Sequence, residues 1–333
     1  MNTPVLRTAI IGCGRMGASY VDDPGFAGIY THAGAYRACA GVELAALCDR
    51  DPDQLRRAGE RWQVAALYSD ADRMLDEVRP ELVSVCTPDS THYDVIRAAT
   101  AAPGVRGILA EKPLATSTCD ARALVDLARQ KGVRLAVNYS RRYCRRHREL
   151  AAWVHAGGMG RVRLATGYYT KGTRHNGTHW LDLVRWLLGS PVRVAARNRL
   201  GEGGDDPTLD VTLTFSNAAT AELCACPASD YTIFELDLLG ETGRARITEG
   251  GRRMDSYRVI DGVPTAGYRG LVLHESRDDG LRDMTLAAVQ DLVEAVLNDH
   301  PLCCTGEDGL AALALAEAAH AAAVAGVPAE LSE

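Results

Sequence analysis

Three short clusters in this chain have residue types and spacings that could do chemistry. The first is Gly12-Cys13-Gly14-Arg15-Met16-Gly17, a G-x-G-x-x-G pattern after the apolar run Leu6–Ile11 and before a stretch with helical spacing. In that context the first glycine permits a tight turn, the second lets a pyrophosphate approach the backbone, and the third allows close helix–sheet packing. The helix start then offers backbone N–H groups to phosphate. The plainer alternative is a glycine-rich turn with no ligand; the strand before and helix after favour a dinucleotide held by Gly12, Cys13, Gly14, Arg15, Met16 and Gly17. Asp49 closes the next apolar run, Val42–Cys48, where a carboxylate accepts from the adenine ribose hydroxyls. It lies farther along than usual because Tyr20–Tyr36 reads as an insertion in the first crossover. Asp49 favours NAD. Arg50 beside it could pair with a 2′-phosphate, so NADP stays open. Asp is also common as a helix cap, the plainer reading of Asp49.

The second cluster is Glu111-Lys112-Pro113, at the C-terminal end of the apolar run Gly107–Ala110, the edge at which open parallel sheets bind ligands. An ammonium there can donate to a substrate hydroxyl and assist its deprotonation as hydride leaves. Only three of the 37 basic residues are lysine: Lys112, Lys131 and Lys171. Where either base serves, this chain writes Arg, so a retained Lys hints that a compact ammonium is required. The third cluster runs from His175 through Asn176, Gly177, Thr178 and His179 to Asp182. On one helix His175, His179 and Asp182 would share a face. A histidine near neutral pKa can take an alcohol proton and return it, with Asp182 orienting His179 or bonded structurally behind it. A lone histidine is usually a satisfied packing residue; two beside an Asp in a Gly-containing turn point to function. His-x-x-x-His is also a zinc spacing, but no Glu follows the first His, and no metal is expected.

Around these clusters the N-terminal part alternates apolar runs with helical patterns: strands at Leu6–Ile11, Val42–Cys48, Leu82–Cys86, Gly107–Ala110 and Val133–Val137, helices at Pro52–Trp62, Thr91–Ala102 and Cys119–Gln130. Continuous apolar strands alternating with helices mean a parallel sheet covered on both faces. Near Asn138 the pattern changes. Helices are expected at Arg141–His155 and Thr178–Leu188, and strands at Val162–Tyr169, Val192–Arg199, Leu209–Phe215, Thr220–Cys226 and Phe234–Leu239, with Ala245–Ile247 and Tyr257–Ile260 as further candidates. Met284–Asn298 and Asp308–Ala325 close the chain as helices. Runs of strands without intervening helices suggest a mostly antiparallel sheet. The expectation is an α/β chain of two domains: 1–137, a Rossmann NAD(P)-binding domain, and 138–333, an α+β domain for substrate binding and oligomerisation.

Bulk properties narrow the function class. The 333 residues suffice for two domains, and 47% hydrophobic with 24% charged residues is the balance of a folded globular chain. A net charge of −6 argues against nucleic-acid or anionic-membrane surfaces as partners. Met1–Thr8 shows neither a long apolar run nor a cleavage pattern, and no secretory signal or transmembrane helix is read, so a cytoplasmic protein is expected. The ten cysteines are scattered, without paired clusters at zinc spacing, and reduced thiols are expected.

The Gly12–Gly17 loop, Thr87-Pro88, Glu111-Lys112-Pro113, Asn138-Tyr139-Ser140-Arg141-Arg142-Tyr143 and Gly177-Thr178-His179 with Asp182 occur in the order seen in the Gfo/Idh/MocA oxidoreductases, the family of glucose–fructose oxidoreductase and inositol dehydrogenase, which the chain resembles over nearly its whole length. The resemblance implies a Rossmann domain followed by an open, mostly antiparallel sheet domain that often builds the oligomer interface, a homodimer or homotetramer, with tightly bound NAD or NADP. It implies that Lys112 binds the reacting hydroxyl and His179 is the acid/base, that Thr87, Pro88, His92 and Glu111 lie along the cofactor, and that Tyr139 and Arg142 lie near the domain junction. Many members carry Asp four residues before the catalytic histidine, where this chain has His175, a candidate for substrate contact or the proton relay. Tyr168, Lys171 and Arg174, with His175 and Asn176, fall in a polar and aromatic segment suited to a sugar pocket. Lys171 and Arg174 could meet a phosphate or carboxylate, or be solvated loop charges. The expected reaction is hydride transfer between NAD(P) and a ring secondary alcohol of a sugar, nucleotide sugar, aminosugar or cyclitol. Two other readings use the same fold: a redox-neutral NAD-dependent glycoside hydrolase, and a non-catalytic dinucleotide-binding regulator.

Overall fold

The computed structural model describes residues 5–20 and 28–331. By contact the chain forms two units, residues 1–143 with 282–310, and residues 144–281 with 311–333. The change of sequence pattern at 137/138 falls slightly earlier, and nothing in that pattern marks the return of 282–310 to the first unit.

The first unit is built on six parallel strands, β1 (Leu6–Ile11), β2 (Val42–Cys48), β3 (Ala66–Tyr68), β4 (Leu82–Val85), β5 (Gly107–Ala110) and β6 (Arg134–Val137), in the order β3-β2-β1-β4-β5-β6. Every residue of β4 and β5 is buried, as a strand covered on both faces requires. Five helices follow these strands: α1 (His32–Ala38), α2 (Pro52–Trp62), α3 (Ala71–Val78), α4 (His92–Ala101) and α5 (Thr118–Lys131). Local chemistry sets their ends. Asp51 caps α2 through the Asp53 and Gln54 N–H groups, with Pro52 in the first turn, and Ser117 caps α5, which stops at Gly132 (φ +68°). The helix Met284–Asn298 also belongs to this unit, with Leu292 and Val296 against Gly107 of β5.

Several expectations shift. The strand expected at Leu82–Cys86 ends at Val85. The single helix expected over Arg141–His155 is a 3-10 turn at Ser140–Arg142 and then α6 (Arg145–His155), because Cys144 is extended at φ −69°, ψ 129°. The stretch read as an insertion, Tyr20–Tyr36, has its residues 21–27 outside the described ones, and its end is helical: Thr31 caps α1 by accepting from Gly34 N–H, and His32–Tyr36 opens that helix.

The second unit holds nine strands, β7 (Val162–Tyr169), β8 (Pro191–Arg197), β9 (Asp210–Phe215), β10 (Thr220–Ala225), β11 (Phe234–Gly240), β12 (Gly243–Thr248), β13 (Arg253–Asp261), β14 (Arg269–Arg277) and β15 (Ala329–Glu330). Their order is β14-β13-β12-β11-β7-β10-β9-β8-β15, antiparallel throughout except for β7 with β10. Burial alternates along β9, β10 and β12, so one face is apolar. That face packs against Trp180, Leu181, Val184 and Leu187 of α7 (Thr178–Leu188) and against Leu315, Ala316 and Ala319 of the last helix, Gly306–Ala325. By length and composition Gly306–Ala325 could cross a membrane, but these buried positions make it a core helix. All ten cysteines are free thiols.

Candidate active site

The glycine loop leaves β1 at the C-terminal edge of the parallel sheet. Gly12 has φ +97°, and a Cβ there would lie 2.5 Å from the Cys86 carbonyl carbon. A Cβ at Gly17 would lie 1.9 Å from the Gly12 carbonyl oxygen, whereas one at Gly14 would meet only Gln54 Oε1 at 3.8 Å. Gly12 and Gly17 therefore close the turn, and Gly14 leaves room over it for a phosphate-sized group. The backbone then makes a single wide π turn, Arg15–Ser19, in which Ala18 and Ser19 N–H both donate to Gly14 O and no side chain caps the start. Among the described residues this turn is what stands at the expected helix opening, and residues 21–27 lie outside them. Arg15 lies over the Tyr20 ring at 4.4 Å.

Asp49 is tied to this loop. Its Oδ2 accepts Cys13 N–H at 2.6 Å and its Oδ1 accepts Asp51 N–H at 2.8 Å. Each carboxylate oxygen keeps a lone pair, so Asp49 can still accept from ribose hydroxyls. Arg50 is exposed. The Cys13 thiol is pushed up to about 12 by burial, with the Asp49 and Cys48 charges adding to it, so it is an unreactive packing group. After β4, Thr87 Oγ1 is buried without a hydrogen-bond partner among the described residues, and Pro88 is exposed. An open glycine cradle, a carboxylate beside it and an unsatisfied hydroxyl on the same edge fit the pyrophosphate and ribose groups of a dinucleotide. His92 is 1% exposed and lies 2.6 Å from Pro113 O and 2.9 Å from Thr87 O, so it ties together the segments leaving β4 and β5.

Lys112 is half-buried at the end of β5. Glu111 before it is buried and accepts His32 Nε2 at 3.0 Å and Asn138 Nδ2 at 2.7 Å. Burial works against the Glu111 charge, but the His32 and Asn138 bonds and the Lys112 ammonium hold its carboxyl below the usual range. Tyr139 is buried. The Arg142 guanidinium is buried on Asp308 (3.1 Å) and the Cys303 carbonyl (3.4 Å), a tie internal to the first unit.

In the second unit β7 runs into a π turn, Gly172–Gly177, and then α7. This turn changes the expected helical spacing: His175 lies on the π turn, while His179 and Asp182 lie on α7. Asp206, from the loop between β8 and β9, holds the turn by accepting Arg174 N–H at 2.7 Å, His175 N–H at 2.9 Å and His320 Nε2 at 3.3 Å. Gly172 (φ +81°) is needed there, since a Cβ would sit 2.1 Å from Asp206 Oδ2. Gly172 N–H donates to Thr208 Oγ1, Thr173 Oγ1 to Pro207 O, and the Tyr169 hydroxyl to Leu209 O.

With the turn fixed this way, His175 is exposed. His179 is half-buried and meets the Phe234 ring edge-on, with centroids 6.5 Å apart. Asp182 is buried in α7. Lys171 is exposed, with φ +69°. Asn176 Nδ2 donates to Thr170 O, and Arg174 Nη1 to Asp205 O. Tyr168 is 42% exposed and, by strand alternation, points to the sheet face opposite Tyr169, into a depression of about 330 Å³ with Thr166, Glu235, Asp237 and Arg244. The structure therefore gathers His175, Asn176 and His179 on one short segment and sets Tyr168 on the other face of that sheet. Among the described residues no group of three or more His, Cys, Asp or Glu side chains is placed to hold a metal.

Sequence reasoning missed His32, Tyr36 and Ser84 around Glu111, and Asp206, Thr208 and His320 around the turn. Ser84 had a signal: it is the one polar residue in the apolar run Leu82–Val85. Asp206 had little, standing in a polar, glycine-rich loop.

Two family profiles match the chain: one described as an oxidoreductase family, NAD-binding Rossmann fold, over residues 6–139, and one as its C-terminal alpha/beta domain, over residues 173–331. Among curated relatives, the myo-inositol 2-dehydrogenase of Thermotoga maritima is 24% identical over 94% of this chain and 95% of its own, and the D-apiose dehydrogenase of Paraburkholderia graminis is 27% identical over 98% and 89%. Among solved structures, a levoglucosan dehydrogenase in complex with NADH and L-sorbose superimposes with a TM-score of 0.83 at 19% identity, covering 99% of this chain and 100% of its own, a likeness of fold.

Proposed function

Because the chain belongs to the Gfo/Idh/MocA oxidoreductases, matching both of that family's domains in turn, we propose that it is an NAD-dependent dehydrogenase acting on a ring secondary alcohol of a sugar, nucleotide sugar, aminosugar or cyclitol. The observation that carries this reading is that the open glycine cradle after β1 and Glu111-Lys112 after β5 occupy the same C-terminal edge of one parallel sheet. The names of the relatives support the substrate class.

Bound nicotinamide supplies the hydride acceptor in the oxidative direction and the donor in reverse. Lys112 donates a hydrogen bond to the substrate oxygen and stabilises the negative charge that builds on it as the C–H electron pair departs. His179 takes the hydroxyl proton as the C=O bond forms and returns it in reduction. His175, where many members carry Asp, contacts the substrate beside His179. Gly12, Gly14, Gly17 and Asp49 hold the dinucleotide. NADP is the weaker ligand, because a 2′-phosphate would face the Asp49 carboxylate. The protein works in the cytoplasm as a homodimer or homotetramer, the exposed Tyr268, Leu271 and Leu273 on and beside β14 supplying apolar surface for self-association.

The test is absorbance at the reduced-nicotinamide band while the purified protein, with NAD or NADP, meets a panel of sugars, nucleotide sugars, aminosugars and cyclitols. A rise with one substrate supports the reading and names the substrate. Silence on the whole panel, and on the matching ring ketones with reduced cofactor, overturns it.

A further inference from the structure

Glu111 stands at the end of a buried hydrogen-bonded row. Tyr36 OH lies 2.8 Å from Ser84 Oγ, Ser84 Oγ 2.8 Å from His32 Nδ1, and His32 Nε2 3.0 Å from Glu111 Oε1, which also accepts Asn138 Nδ2. His32 and Ser84 are fully buried, and Tyr36 and Asn138 nearly so. A consistent run of donation satisfies every link: the Tyr36 hydroxyl to Ser84, the Ser84 hydroxyl to His32 Nδ1, and the His32 Nε2–H to the carboxylate. This tautomer is assigned from the network. At its end Glu111 Oε1 meets two N–H donors, an arrangement that suits an acceptor-only carboxylate and leaves no place for a proton on that oxygen.

The sheet order shows which half of a dinucleotide this charge faces. The order reverses between β1 and β4, so a dinucleotide spans the edge across that point. Asp49, after β2, takes the adenosine side. The nicotinamide half then falls on the side of β4 and β5, where Thr87, Glu111 and Lys112 end their strands. An oxidised nicotinamide ring is cationic and a reduced one neutral. Lys112 alone would disfavour the cation, and an ionised Glu111 beside it offsets that effect.

Building on the dehydrogenase reading, we propose that His32, backed by Ser84 and Tyr36, is a positioning residue that keeps Glu111 ionised, and that Glu111 biases the site toward the oxidised cofactor. The row thereby sets which redox form of the nucleotide the protein holds.

The experiment measures equilibrium Kd values for NAD⁺ and NADH on the whole protein, without substrate. Glu111→Gln keeps the shape and removes the charge, and it raises the ratio Kd(NAD⁺)/Kd(NADH) by about tenfold. His32→Asn raises it less, and adds nothing in the Glu111→Gln background, because it acts through Glu111. Lys112→Met, at a half-exposed position, removes the opposing charge and lowers the ratio, a second reading of the same charge balance should the buried variants fail to fold. If the wild type binds both nucleotides while the ratio stays unchanged in folded Glu111→Gln, or in Lys112→Met where Glu111→Gln does not fold, the proposal is overturned and the dehydrogenase reading stands. If the wild type binds neither nucleotide, both fall.

Discussion

The Asp49 carboxylate accepts the backbone N–H of Cys13 at 2.6 Å, joining the end of β2 to the glycine turn after β1. One residue thus shapes the phosphate loop and presents the acceptor for the adenine ribose. Asp49→Ala is expected to weaken NAD⁺ binding about ten- to a hundredfold, the cost of losing hydrogen bonds to a charged acceptor. NADP⁺ should lose much less, since the same change removes the carboxylate facing its 2′-phosphate. Paired Kd measurements decide this: an equal loss for both nucleotides would confine Asp49 to holding the loop.

Lys112→Ala should leave nucleotide affinity within a fewfold of wild type and reduce kcat by at least about a hundredfold, because the ammonium acts on charge that develops during reaction. Lys112→Arg should not restore the rate, since a planar guanidinium does not replace a compact ammonium. Full activity in Lys112→Ala would remove it from the mechanism.

His179→Ala is expected to cost about 10²- to 10⁴-fold in kcat and to abolish the acidic limb of the pH–rate profile, the limb on which a general base is lost by protonation. His175→Asp, which restores the residue many relatives carry, should change KM more than kcat if His175 contacts substrate. A profile whose acidic limb survives in His179→Ala would transfer the proton role to another group.

The first unit was legible because its strands β1, β2, β4 and β5 are continuous apolar runs with chemistry at their C-terminal ends, and that pattern gives both position and edge. β14 was not: nearly all of Arg269–Arg277 is exposed, so no alternation marks it. The three-residue β3 is too short to carry a period. The motif residues Glu111, Lys112 and His179 could be named from the sequence, but their supports could not. His32 reaches Glu111 across 79 positions and Asp206 reaches His175 across 31, separations at which only the folded chain brings side chains together. The π turn at Gly172–Gly177 was equally hidden, since a helical spacing of four reads the same whether or not the backbone widens.

Asp206 supplies a pH-dependent test of what holds that turn. Burial opposes its charge, but the His320 bond and the Arg174 and His175 N–H groups outweigh burial and hold its carboxyl below the ordinary 3.8. A lowered folded value means that the carboxylate contributes stability above the ordinary value and loses it as pH falls through the lower one. Asp206→Asn should therefore be less stable than wild type at pH 7 by about 1–2 kcal/mol, after discounting for partial exposure. That deficit should hold down to about pH 5 and close as pH drops below the ordinary carboxylate range. Urea midpoints of both proteins across pH 3 to 7 measure it. The same variant should lower kcat and raise KM, because the turn that carries His175 and leads into His179 is less firmly set. A stability deficit that persists undiminished at pH 3 would mean that the shape of the Asp206 side chain, and not its charge, holds the turn.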